Sequence, residues 1–315
     1  MDLKSPAAIT AIHALLANTD ILVENFKVGD MARYGLDFAS LSALNPKLVY
    51  CSVTGFGQTG PYAPRPGYGA ICEAVGGVRH MTGDPDRPPA RVALATTDYL
   101  TSTYAAFGAL AALREKDKTG LGQVVDVALY ETAFTQMEPI VPAYEKHGTI
   151  PKREGANLPR MAPNSLYPTK DDSYILIAAN SNPTCERLMQ AMGRIDLMQV
   201  PEFANIRARG EPANARALDE IIAGWTRQHL CHDLAAMLEE VGVPNTRVYT
   251  IADIYQDPHF LERNMLVKVP HPKIGHTTQM GVVPRLSRTP GSIRHTGHEL
   301  GQDTAEVRAA FPTSN

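Results

Sequence analysis

Asp98 is the side chain best placed for covalent chemistry. It stands at a loop-to-helix junction after the apolar run RVALATT, in the alanine-rich helical stretch TTDYLTSTYAAFGALAALREKDKTG. Asp is among the preferred helix caps, so one reading is a plain N-cap, shared with Thr97. The other reading is chemical. A carboxylate at a helix N-terminus is held ionised by the helix dipole and nearby N–H groups. An ionised, partly desolvated carboxylate attacks an activated acyl carbon and so divides a difficult exchange into easier covalent steps. Local sequence leaves both open.

Two other patterns invite chemistry and do not carry it. Gly55-Phe-Gly57-Gln-Thr-Gly60 matches GxGxxG after a predicted strand, but Pro61 follows at once and the chain stays rich in Pro and Gly. The helix whose N–H groups would hold a pyrophosphate is therefore absent, and no acidic strand end follows at the expected distance. His229 and His232 flank Cys231 in HLCH, yet a zinc site needs three or four ligands and no further Cys/His cluster lies nearby. No G-x-S-x-G elbow occurs, which removes support for serine hydrolase chemistry.

The elements that must position Asp98 read as an α/β domain. SPAAITAIHALL is a helix with Ser5 as N-cap and Pro6 first. DILVEN and KLVYCSVTGFG are short apolar strands of the kind buried in a parallel sheet, separated by helical MARYGLDFASLSAL, interrupted near Gly35. ICEAVGGVRHMTG is a broken helix, and GQVVDVALYETAF is a strand leading into a helix. Residues 141–165 carry the Pro, Gly and charge of a linker. SYILIAAN, CERLMQAMG and ANARALDEIIAGWTRQHLCHDLAAMLEEVG then form a smaller α+β module over 166–268, with a strand at MLVKVPHP. Residues 269–284 return the chain, and 285–315 rejoin the large domain of residues 1–140.

Composition sets outer bounds. The 315 residues exceed one typical domain, and the net charge of −3 argues against a surface built for nucleic-acid phosphates or anionic lipid. The four cysteines are scattered without a CxxC pair, which suggests no disulfide framework. No run of about eighteen apolar residues occurs. A soluble, cytoplasmic protein that binds neither nucleic acid nor membrane is expected.

The stretches DILVENFKVGDMARYGLDFASLSALNPKLVYCSVTGFGQTGPYAPRPGYGAICEAVGG and MTGDPDRPPARVALATTDYLTSTYAAFGALAAL carry a wider signal. With KTGLGQVVDVALYETAF, EVGVPNTRV, DPHF and LGQDTAEV, they resemble the class III CoA-transferases (the CaiB–BaiF family), in order and over nearly the whole chain. The resemblance implies a Rossmann-like parallel-sheet large domain plus a smaller α+β domain, and a homodimer. It implies Asp98 as nucleophile, attacking a donor acyl-CoA to give a mixed anhydride and then an aspartyl-CoA thioester. It places CoA contacts at Lys4, Asn25, Phe26, Lys27, Arg33, Pro66, Gly67 and Tyr68, with Lys and Arg suited to phosphates and Phe26 to adenine. The partners it implies are an acyl-CoA and a small carboxylic acid. No metal and no resident cofactor is implied, because CoA is a substrate.

The chain departs from that family at three places. A strand–helix–strand segment that precedes the MDLK position in the family is missing, so a catalytically impaired CoA-binding chain is the alternative expectation. Gly69 stands where many members carry an acid, and Ser102 where a Gly is usual, which tightens space near the substrate. The 2-methylacyl-CoA racemases share the fold but place a His where this chain has Tyr68. Asp98 then lacks the partner that α-proton exchange requires, so transfer is preferred to racemisation. The glycine-rich loop of formyl-CoA transferases is not evident between His147 and Pro168, against oxalate. The TG loop looks similar to that of dicarboxylate users such as succinyl-CoA–glutarate transferases.

Overall fold

A computed structural model describes residues 2–310. Met1 and residues 311–315, the end of the expected 285–315 segment, lie outside the described residues. The chain divides into two compact units, Met1–Gly155 with Thr304–Asn315, and Ala156–Asp303.

In the first unit α1 (Pro6–Leu16) starts after Ser5 with Pro6 in its first turn, as the sequence suggests. The strands β1 (Ile21–Glu24), β2 (Val49–Thr54) and β3 (Val124–Ala128) form a parallel sheet in the order β1-β2-β3. Ile21 pairs with Val49, and Tyr50 with Val124. The central strand VYCSVT is buried over most of its length, because helices cover both faces and water reaches neither.

On one face Leu16 of α1 and Leu41 of α3 (Phe38–Leu44, after the short α2, Asp30–Arg33) pack with Met31, Leu36, Leu48 and Tyr50. The chain turns between α2 and α3 at Gly35, whose φ of +65° suits glycine. After α4 (Gly69–Val75) and α5 (Val78–Met81), the other face receives α6 (Thr96–Thr119). Its Ala105, Ala109 and Ala112 lie against Val49, Cys51 and Val127. Small side chains let this helix sit close, and at Gly108 a Cβ would come within 2.7 Å of Val125. Gly120, at φ +76°, ends the helix in the left-handed conformation. α7 (Leu129–Phe134) follows β3 directly, and α8 (Ile140–His147) forms where a linker was expected.

The second unit is built on an antiparallel sheet of β4 (Asn164–Pro168), β5 (Tyr174–Ala178) and β6 (Asn245–Arg247). β5 alternates exposed and buried positions, with Ile175 and Ile177 fully inside. Against it pack Cys185, Leu188 and Met189 of α9 (Asn182–Ala191). After α10 (Ile206–Arg209), α11 (Pro212–Thr226) adds Leu218 and Ile222, and α12 (Cys231–Glu240) adds Leu234 and Leu238. The helices α13 (Ile251–Gln256) and α14 (Pro258–Glu262) lead to a hairpin, β7 (Leu266–His271) with β8 (Gly275–Met280). Residues 285–303 group with this unit, not with the first as the sequence reading placed them. Only α15 (Thr304–Ala310) returns. No described helix is long and apolar enough to cross a membrane.

Candidate active site

In an open parallel sheet the loops leaving the carboxyl ends of the strands converge, and a crevice forms among them. That is where the main cavity of the first unit lies, with a volume of about 630 Å³. Asn25, Phe26 and Lys27 follow β1, Gly55 follows β2, and Leu129 follows β3. Pro66, Gly67 and Tyr68 enter from the loop before α4, while Asp98, Thr101 and Ser102 come from the first turns of α6. No His is among the residues lining this cavity.

The loops meet closely because two glycines permit it. A Cβ at Gly55 would fall 2.6 Å from the Cα of Gly67, and one at Gly67 would fall 2.7 Å from the Cα of Gly55. Backbone touches backbone there, so no side chain can move aside. Gly57 and Gly60 both hold positive φ, of +84° and +86°. The GxGxxG stretch is thus a turn and opens no helix. At HLCH, the His229 ring packs on Trp225 at 5.0 Å and Cys231 is buried.

Asp98 does not cap its helix. α6 begins at Thr96 with Ala95 in the cap position, so Asp98 is the third residue of the first turn. The expectation of a cap at Thr97 or Asp98 is corrected by this extra winding. Thr97 is buried and its carbonyl accepts from the Thr101 hydroxyl at 2.7 Å, so the helix is already formed at Asp98. An acid in this turn still faces the positive end of a 24-residue helix. The Asp98 side chain is exposed to the cavity. Among the described residues its carboxylate oxygens enter no hydrogen bond or ion pair, and only its main-chain carbonyl is used, accepting from the Ser102 hydroxyl at 2.9 Å.

Gly69, buried at the start of α4, explains where that carboxylate rests. A Cβ there would overlap Asp98 Oδ2 and lie 2.9 Å from Cγ and 3.0 Å from Oδ1. The carboxylate occupies the space that any side chain at this position would need. Three residues further along α4 is Cys72, whose buried thiol donates to the Gly55 carbonyl at 3.2 Å. Burial, and then the charge of Asp98, push the Cys72 thiol up to about 11. It remains a neutral thiol and offers no competing nucleophile.

The turn after β1 is held by a buried acid that the sequence did not single out. Glu24 accepts from the Phe26 N–H at 2.7 Å and from the Ser52 hydroxyl, and Gln58 donates to Ser52 at 2.6 Å. Glu24, Ser52 and Gln58 also line a second cavity of about 320 Å³ that shares Lys27 with the first. Two expected contacts stay outside both cavities. Lys4 is exposed near the N-terminus, and Arg33 is engaged with Asp30 at 3.0 Å. Arg65, missed in the sequence, lines the main cavity with its guanidinium 3.7 Å above the Tyr62 ring.

Comparison with known proteins follows the same lines. The family model for CoA-transferase family III matches residues 1–304. The chain is 43% identical over 307 residues to the succinyl-CoA–D-citramalate CoA-transferase of Chloroflexus aurantiacus, covering 98% of this chain and 76% of that protein. It is 31% identical over 318 residues to the succinate–glutarate CoA-transferase of Agrobacterium fabrum, covering 99% of this chain and 77% of that one. The crystal structure of a CAIB/BAIF family protein from Brucella suis superposes with a TM-score of 0.84 at 33% identity, over 98% of this chain and 80% of the other.

Proposed function

The chain belongs to CoA-transferase family III, and from that premise we propose that it moves CoA from a dicarboxyl acyl-CoA to a second carboxylic acid through Asp98. The observation that carries this reading is the Asp98 carboxylate, unpaired in the cavity that also gathers Asn25, Phe26, Lys27, Pro66, Gly67 and Tyr68. Lys27 supplies a cation for phosphate, Phe26 an exposed aromatic face, and the Gly67 backbone a close approach with no Cβ in the way.

The chemistry runs as four acyl transfers. An Asp98 oxygen adds to the thioester carbonyl of the donor and the C–S bond breaks, giving a mixed anhydride and CoA thiolate. The thiolate attacks the aspartyl carbonyl, which releases the donor acid as carboxylate and leaves aspartyl-CoA. The acceptor carboxylate attacks that thioester, forming a second anhydride and thiolate again. The thiolate then attacks the acceptor's acyl carbonyl, so the new acyl-CoA leaves and Asp98 is a carboxylate once more. Charge is conserved at each step, and CoA serves as substrate with no metal or resident cofactor. The dicarboxylate assignment leans on the relatives, whose names carry succinyl-CoA with citramalate and succinate with glutarate. The family resemblance further supports a cytoplasmic homodimer as the working form.

Replacing Asp98 tests the reading. Asp98→Ala removes the attacking oxygen and is expected to lower exchange by at least about 10⁴-fold while CoA binding persists. Exchange at the wild-type rate in this variant overturns the mechanism.

A further inference from the structure

We propose that Arg65 is an anion-binding residue of this site, taking one anionic oxygen group of the acyl-CoA on the free edge of its guanidinium. The group is either the far carboxylate of a dicarboxyl acyl chain or a phosphate of CoA. This rests on the transferase reading above and deepens it by assigning a recognition residue.

The loop builds Arg65 into place. Pro64 and Pro66 flank it and restrict the backbone, and its N–H closes a turn onto the Tyr62 carbonyl at 2.8 Å. Its guanidinium lies 3.7 Å over the Tyr62 ring. Tyr62 meets Phe56 edge-on with ring centres 5.8 Å apart, and Phe56 is buried. A long side chain that would otherwise sample many rotamers is therefore stacked on an aromatic pair anchored in the core, and less entropy is lost when it binds. Stacking uses the face of the guanidinium and leaves the N–H groups on its edge.

Those donors meet no protein acceptor. Among the described residues Arg65 forms no ion pair and no side-chain hydrogen bond. Asp30, one of the two acids lining the cavity, is engaged with Arg33. The other is Asp98, free for chemistry. A planar fork of donors, stacked on Tyr62 at the cavity and left without an acid, matches the geometry of a carboxylate or phosphate. Lys27, the other cation in the lining, has no such fork and acts as a point charge.

The test measures binding so that it does not depend on turnover. In the Asp98→Ala protein, calorimetry gives the affinity of succinyl-CoA, of butyryl-CoA, which lacks the far carboxylate, and of succinyl-3′-dephospho-CoA. Adding Arg65→Ala is expected to weaken succinyl-CoA by about 10- to 100-fold, the worth of a lost charge-assisted contact. If the far carboxylate is the partner, butyryl-CoA binding barely changes. If the 3′-phosphate is the partner, the dephospho ester is the one that barely changes. A loss shared by all three, with Arg65→Lys restoring only part of it, assigns the pyrophosphate common to them. Equal losses fully restored by Lys, or no loss at all, overturn the assignment of Arg65. No binding of any ester to the Asp98→Ala protein defeats the transferase reading itself, and the assignment falls with it.

Discussion

Gly69→Ala is the sharpest mild perturbation of this site. The new methyl group would overlap Asp98 Oδ2 and crowd Cγ at 2.9 Å and Oδ1 at 3.0 Å. Ordinary contact for such pairs begins near 3.4 Å, so the carboxylate must retreat by on the order of an ångström. The side chain gives way before the backbone does, because Asp98 is otherwise unpaired and faces open space. Turning it off its rotamer costs about 0.5–1.5 kcal/mol. Gly69 lies within a helix and holds no positive φ, so replacing Gly by Ala returns about 0.4–1 kcal/mol. Stability should then stay within about 1 kcal/mol of wild type. Catalysis is less forgiving, since a misplacement of about 1 Å at a reacting group costs about 10²-fold. Thermal melting and steady-state CoA exchange on the same preparation read both numbers. A normal exchange rate in this variant would refute the idea that the observed seat of the carboxylate is the reactive one. A collapse of the melting temperature would show that the backbone moved instead.

Two further substitutions test the supports. Glu24→Ala removes the acceptor for the Phe26 N–H and the Ser52 hydroxyl; it should cost about 1–3 kcal/mol in urea unfolding and raise KM for acyl-CoA more than it lowers kcat, since the Asn25–Lys27 turn loosens. In the second unit, Tyr167 donates to the half-buried Asp219 at 2.6 Å. Burial raises the Asp219 carboxyl and this hydrogen bond lowers it, so folded Asp219 keeps its proton to a higher pH than the unfolded chain does. Such a group favours folding below the ordinary Asp range, and its contribution is lost as pH rises through the folded value. Tyr167→Phe deletes the lowering influence, so its destabilisation, about 1–3 kcal/mol near pH 7, should shrink as the pH falls toward the ordinary Asp range. A penalty independent of pH contradicts this.

Much of the fold was legible because local pattern and burial agree. The run VYCSVT is buried over most of its length, and SPAAITAIHALL starts at its proline. The site was partly legible for a topological reason, since Asn25, Phe26, Lys27 and the Pro66–Tyr68 stretch follow strand ends or precede a helix in one crevice. The start of α6 was not, because Thr96, Thr97 and Asp98 are all cap-like residues in a row, while the cap position falls on Ala95, which has no capping side chain. Arg65 escaped notice inside a proline-rich loop, where its partner Tyr62 lies in the same turn and the pair reads only as turn residues. The Glu24–Ser52–Gln58 network joins neighbouring parallel strands, and a pairing across 28 residues leaves no trace in local periodicity. Lys4 and Arg33 lie outside both cavities, and the direction in which an exposed basic side chain is turned leaves no mark in local sequence; Arg33 pairs with Asp30, three residues before it.

The central claim is that an oxygen of Asp98 becomes acylated during turnover. Incubating the protein with succinyl-CoA in the presence of hydroxylamine, followed by peptide mass analysis, tests it most directly. The account predicts a hydroxamate on Asp98 that forms only when acyl-CoA is present and halts exchange as it accumulates. An unmodified Asp98 in protein inactivated under these conditions, or a hydroxamate on a different carboxylate, contradicts it.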